Sequence, residues 1–169
     1  MRFYGFGNYY LSSLQQGLQA AHAAVDLHVK YNIDDIGHYD NSLRRDAYND
    51  WAKNHKTMVL LNGGNSADLQ DLYNFLGADE NPYPFVKFHE DEVSLNGALT
   101  YVGVILPEKI YETAAVIRQV RGAFYNHEYQ AVQIPKVKVG EDEDAFILVQ
   151  MAEFEFDLMM CLNKYGLAK

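Results

Sequence analysis

The sequence predicts an α/β domain: a mixed four-stranded sheet with helices on both faces, followed by a C-terminal helical extension. Three observations carry this expectation. Short apolar runs that end at Gly or Pro, such as Met58 to Leu61 before Asn62, Gly63 and Gly64, have the length and composition of strands. Longer segments between them place apolar residues three and four apart, the period of a helix with one buried side. The resulting order (strand, helix, helix, strand, helix, strand, strand, helix) requires a mixed sheet with helices on its faces.

Each element has its own signal. Arg2 to Asn8 alternates aromatic and small residues and reads as a first strand. From Ser12 or Ser13, a serine cap, a helix runs to Tyr31, with Leu14, Leu18, Ala21, Val25 and Val29 as its expected inward face. Ile33 to Asn41, rich in Asn, Asp and Gly, reads as a loop. A second helix spans Ser42 to Asn54, with Leu43, Ala47 and Trp51 four apart. Lys56 to Leu61 reads as a buried central strand, and Asn65 or Ser66 caps a helix through Leu76 that turns Leu69, Leu72, Tyr73 and Leu76 inward. Pro82 and Pro84 break the chain before strands at Phe85 to Phe88 and Ala98 to Leu106. Pro107 opens a helix reaching about Gly122. An extended stretch from Tyr129 to Val139, an acidic turn from Glu141 to Asp144 and a helix from Ala145 to Lys164, with Gly166 as its cap, complete the reading. Residues 1–122 are thus expected to form the sheet domain and residues 123–169 an extension packed on it or on a partner subunit.

Composition bounds the function classes. The chain has one cysteine, Cys161, so no intrachain disulfide is available, and its N-terminus lacks the pattern of a secretory leader. A cytoplasmic location is the expectation. No run of about 18 apolar residues occurs, so no membrane span is expected. A net charge of −9 disfavours nucleic acid, because phosphates are repelled over the surface as a whole. Thirteen Tyr and nine Phe suit either a dense core or a partner surface. Nothing points to a cofactor or a structural metal.

Two groups of residues could carry chemistry. On the first helix, Gln15, Gln19 and His22 share a face near the N-terminus, where α/β proteins often bind ligands. The loop His89, Glu90, Asp91 and Glu92 holds groups suited to a general base or a divalent cation, although neighbours in an extended chain point to opposite sides and at most two of the four converge. Asn62 to Ser66 joins a strand to a helix without the lysine or glycine pattern of a nucleotide loop and reads as a plain turn. Cys161, in an apolar stretch with no cation nearer in sequence than Lys164, reads as packing.

The run Leu11-Ser-Ser-Leu-Gln-Gln-Gly-Leu-Gln-Ala-Ala-His-Ala23 resembles the motif M-G-K-G-K-x-A-A-Q-C-A-H-A of type 2 peptidyl-tRNA hydrolases, matching at Gln19, Ala21, His22 and Ala23. Trp51, the strand to Leu61, the helix with Leu69, Leu72 and Tyr73, and Asn96-Gly-Ala-Leu-Thr100 through Pro107 follow in the family's order, so the resemblance covers about residues 1–115. The chain is also similar to uncharacterised proteins of tailed phages of marine cyanobacteria, which implies no chemistry. The family resemblance implies hydrolysis of the ester joining a peptide to tRNA, with His22, Glu90, Asp91 and Thr100 as catalytic candidates and Ser13, Gln15, Gln19 and Gly97 around the substrate. The departures are as informative. Ser13 and Gln15 stand where the family has lysines, no D-A-G-x-T segment occurs, and of the G-[ST]-x-T motif only Gly97 and Thr100 carry over. Two readings follow: an ester hydrolase of weak or no activity, or a non-catalytic module on the same fold that binds a protein partner or a second copy through its C-terminal helix.

Overall fold

In the computed structural model, which describes residues 1–31, 42–135 and 146–166, the chain divides into two compact units, Met1–Pro107 with Tyr165–Lys169, and Glu108–Lys164. The loop expected at 33–41 and the acidic turn at 141–144 lie outside the described residues.

The first unit runs β1 (Arg2–Gly7), α1 (Ser13–Tyr31), α2 (Ser42–Asp50), β2 (Met58–Asn62), α3 (Ser66–Leu76), β3 (Phe85–His89), the single turn α4 (Glu92–Leu95) and β4 (Leu99–Leu106). Its four strands form a mixed sheet in the order β2-β1-β4-β3, with β1 parallel to β2 and β4 antiparallel to both β1 and β3. This is the α/β architecture expected, with one change: Met58 to Leu61 lies at a sheet edge, not at its centre, and of those four residues only Leu61 is fully buried. The centre belongs to β1 and β4.

Strand residues alternate between the two faces. On one face Phe3, Val86, Tyr101 and Ile105 pack with Ala20, Ala23, Leu27 and Tyr31 of α1 and with Tyr48 and Trp51. On the other, Leu69, Leu72 and Leu76 of α3 are buried, Tyr73 meets Phe85 with ring centres 5.4 Å apart, and Phe6 meets Tyr165 at 4.8 Å. Close approach requires glycine here: a Cβ on Gly103 would overlap the Phe3 ring, and one on Gly7 would overlap the Gln16 amide. That is the structural meaning of the aromatic and small alternation in β1.

Helix α1 turns the opposite way from the expectation. Leu14, Leu18, Ala21, Val25 and Val29 are exposed, and the inward side is Gln16, Gln19, Ala20, Ala23, Leu27 and Tyr31. The reason is complementarity. The sheet raises the Phe3 and Tyr101 rings beneath the helix, so the side carrying alanines fits closest, while Gln16 and Gln19 find partners among the strand ends. In α2 the expected Ala47 and Trp51 are buried but Leu43 is exposed. That helix runs on as a π-helical turn, Trp51–His55, closed by Lys56 in the left-handed region (φ 57°), and the Trp51 indole N–H donates to Thr57 O at 2.9 Å. Asn65 caps α3: its side chain accepts from the Ala67 and Asp68 N–H groups, and Asp68 accepts from the Asn65 N–H.

The second unit comprises α5 (Glu108–Gln119), β5 (Phe124–Asn126), β6 (Ala131–Pro135), β7 (Phe146–Gln150) and α6 (Glu153–Leu162). The three strands form an antiparallel sheet in the order β5-β6-β7. This corrects the helix expected from Ala145 to Lys164: its described first part, 146–150, is a strand, and the helix that follows is shorter and ends at Asn163 as cap, not at Gly166. A run of Phe, Ile, Leu and Val suits either state, and pairing with β6 selects the strand. Helices α5 and α6 lie side by side in the same direction, joined by Lys109 to Glu155 at 3.3 Å and by Arg118 to Asn163 at 3.0 Å.

Candidate functional site

Three of the candidate residues converge. Thr100, at the start of β4, is fully buried; its hydroxyl donates to Gln19 Oε1 at 3.3 Å, and Gln19 Nε2 donates to a Glu90 carboxylate oxygen. Residues 81 apart in sequence, Gln19 and Thr100, are thus joined on the inward side of α1, with half-buried Glu90 completing the line from the end of β3. The Glu90 backbone N–H donates to Ala98 O at 3.0 Å, which ties the loop back to β4 and holds the carboxylate over the amide.

The remaining candidates are arranged around this line but enter it differently. His22 is exposed and lies flat on Phe88, ring centres 4.7 Å apart and planes 6° apart. His89 Nδ1 is 2.9 Å from Gly97 O, which needs the proton on Nδ1 because a carbonyl only accepts. Asp91 is exposed, and its backbone carbonyl accepts from Leu95 and Gly97 N–H groups, starting the single turn α4. Asn96 and Gly97 both adopt positive φ, 50° and 67°, the conformation that lets the chain reverse into β4. Gln15 is used locally: its side-chain oxygen accepts from the Ser12 N–H at 2.9 Å, and the Gln15 N–H donates back to the Ser12 hydroxyl, capping α1. Ser13 is exposed at the first position of that helix. Among the described residues no group of three or more His, Cys, Asp or Glu could hold a metal ion.

Three residues, Asn8, Gln16 and Tyr101, escaped the sequence reading. The Asn8 side chain, fully buried at the end of β1, donates to Ser66 Oγ at 3.1 Å and Leu99 O at 3.4 Å, while the Asn8 backbone carbonyl accepts from Gln16 Nε2 at 3.0 Å. Asn8 Oδ1, Gln16 Oε1 and Tyr101 Oη are buried without a hydrogen-bond partner among the described residues. Burial also pushes the Tyr101 phenol well above its ordinary range. The one available signal was Gln16 between inward positions of α1, visible only once the inward side is known.

Chemically, the line Thr100–Gln19–Glu90 is a hydrogen-bonded clamp. An amide donates with its nitrogen and accepts with its oxygen but does not pass a proton as imidazole does, so the carboxylate orients Gln19 without becoming a base for Thr100. Among the described residues, no lysine or arginine takes part in the hydrogen bonds of Gln19, Glu90 or Thr100. In comparison with known proteins, no family model matches the chain and no curated protein matches it.

Proposed function

We propose that the chain is a divergent type 2 peptidyl-tRNA hydrolase-like protein whose hydrolase activity is weak or absent. The observation that carries this reading is the Gln19 amide between Thr100 and Glu90. Residues of the resembling motifs meet, which supports the family reading, yet they meet as a clamp and not as a nucleophile with its base. Ser13 and Gln15 stand where the resemblance implies lysines, and the Gln15 side chain is engaged in the cap of α1. Loss of one well-placed stabilising donor commonly costs about 10²–10³ in rate. The net charge of −9 further weakens attraction to a polyanion.

The test is hydrolysis of peptidyl-tRNA by the purified chain at low salt, beside His22→Ala and Asp91→Ala. Turnover at least about 10²-fold below that of an active family member is expected for the unaltered chain, with no further fall in either variant. Robust turnover that is lost in either substitution overturns the reading.

A second reading, a non-catalytic protein-binding module in a cytoplasmic setting, is favoured by the exposed apolar side of α1. No helix among the described residues is long and apolar enough to cross a membrane. The C-terminal helix, first expected to supply the contact, buries Leu158, Met159 and Leu162 and exposes Met160.

A further inference from the structure

Three cations gather on one aromatic cluster at the β3 edge of the first unit. The Lys30 ammonium, near the end of α1, lies 4.3 Å from the centre of the Phe85 ring and 5.2 Å from that of Tyr31, and the Arg44 guanidinium of α2 lies 5.5 Å from the same Phe85 ring. Tyr73 of α3 meets Phe85 with ring centres 5.4 Å apart, and the Lys87 ammonium of β3 lies 4.5 Å from the Tyr73 ring. Four elements thus bring three positive charges to two adjoining rings. Lys30 is exposed and Arg44 and Lys87 are half-buried, so a small solute reaches all three.

No carboxylate balances them. Among the described residues none forms an ion pair with Lys30, Arg44 or Lys87, on a chain with 23 acidic residues against 14 basic ones. Asp26 stands four residues before Lys30, the spacing at which a helix pairs opposite charges, yet the ammonium donates to Phe85 O at 3.1 Å instead. Gathering like charges costs free energy, and the cost shows at Lys30, whose pKa is lowered to about 8 by burial and then by Arg44. The negative faces of the rings offset part of that cost but carry no net charge. The balancing charge therefore belongs to something that binds.

The donors that remain define its chemistry. Arg44 spends Nε and one terminal nitrogen on Asn81 O, at 3.2 and 2.6 Å, so that side of its fork is not free to clasp a planar carboxylate. Separate point donors arriving from α1, α2 and β3 suit the tetrahedral oxygens of a phosphate better than the two coplanar oxygens of a carboxylate. The strand edge is closed to an added peptide strand at Phe85, where the Tyr31 hydroxyl donates to the carbonyl at 3.0 Å and accepts from the N–H at 3.2 Å. A long polyanion would meet the net charge of −9 over the whole surface, whereas a small one meets chiefly the three local cations. We propose that Lys30, Arg44 and Lys87 bind a phosphate group of a small phosphorylated molecule. Lys30 lies eleven residues beyond Gln19, about 16 Å along α1, so the site is separate from the Thr100–Gln19–Glu90 line and stands whether or not that line hydrolyses an ester.

Amide chemical shifts, followed by NMR while the purified chain is titrated with pyrophosphate at pH 7 and constant ionic strength, read this directly. Saturable shifts are expected at Lys30, Arg44, Phe85 and Lys87, with a dissociation constant on the order of 1 mM. Lys30→Gln and Lys87→Gln are each expected to weaken binding at least about fivefold with the far-UV circular dichroism unchanged, while Lys53→Gln, at an exposed cation on the π-helical turn, leaves it as it was. Citrate, of similar charge but with carboxylates only, is expected to bind at least about fivefold more weakly than pyrophosphate. Shifts that do not saturate by about 20 mM, binding indifferent to both lysine substitutions or equally weakened by Lys53→Gln, or citrate as tight as pyrophosphate each overturns the proposal. A short RNA that binds more tightly than pyrophosphate overturns it too, by assigning the patch to nucleic acid.

Discussion

β4 and β7 are written in similar letters and live in different surroundings. Both are rich in large apolar residues, β4 over Leu99–Leu106 and β7 over Phe146–Gln150. All eight residues of β4 are buried, whereas in β7 only Val149 is partly covered and Phe146, Ile147 and Leu148 are exposed. The difference lies in neighbours. β4 has a strand on each side and helices over both faces of its sheet, while among the described residues β7 pairs with β6 alone. An apolar-rich strand therefore reports the capacity to be buried on both sides; the coverings that use this capacity come from elsewhere in the chain.

The largest test of this contrast is truncation in each strand. Leu106→Ala removes a fully buried side chain and is expected to cost about 2–5 kcal/mol of unfolding free energy, while Leu148→Ala is expected to cost under about 1 kcal/mol. Denaturant titrations of the two variants check this. Equal losses would mean that β7 is as well covered as β4, and the contrast would fail.

Tyr101→Phe probes β4 more finely. The Tyr101 hydroxyl is buried without a partner among the described residues, so deleting it while keeping the ring should raise stability by up to about 1 kcal/mol. A loss instead of a gain in the thermal midpoint would show that the hydroxyl is satisfied in solution. In the second unit, α6 begins at Ala152, which offers no side-chain acceptor, although Glu155 accepts from its N–H at 3.0 Å. Ala152→Ser supplies the missing half of the cap, and a gain of about 0.5–1 kcal/mol, measured by amide exchange within α6, is expected.

The smallest effect is one of pH and belongs to the first sheet alone. The Lys30 ammonium sits 4.3 Å from the centre of the Phe85 ring; burial of that group, and then the nearby Arg44 guanidinium, lower its pKa from 10.5 to about 8. Between these values the unfolded chain holds more protons than the folded one, so stability rises as pH goes from about 8 toward 10.5. Burial holds the Tyr31, Tyr48 and Tyr101 phenols above their ordinary value of 10.0, so above that pH the unfolded chain releases protons first and stability falls. Urea titrations should therefore show a shallow maximum near pH 10, and Lys30→Met should remove the rising limb. Since the residue as a whole is exposed, the rise is expected to be small. A rise of the same size in Lys30→Met would place its origin in another group.

Sequence alone determined the kind of fold and most of its pieces, because period and caps are local. The 19-residue reach of α1, the Asn65 cap of α3 and the run of β4 can be read from neighbouring residues, as can the impossibility of an intrachain disulfide in a chain with one cysteine. Of the residues in the hydrogen-bonded line, Gln19 was singled out from the helix motif, Glu90 from the acidic loop and Thr100 from the segment after it, but their connections were not legible. Tertiary structure decided what depends on distant partners. It turned the alanine side of α1 inward, because the Phe3 and Tyr101 rings leave room for little else, and so put the leucine and valine stripe outside. It joined Gln19 to both Thr100 and Glu90, making the amide a hydrogen-bonded link that its place in a helix does not reveal. It also made 146–150 a strand, since β6 offers a hydrogen-bonding edge that the local sequence does not mention. Periodicity sets the shape of an element; which side faces inward is set by complementarity with surfaces far away in the chain.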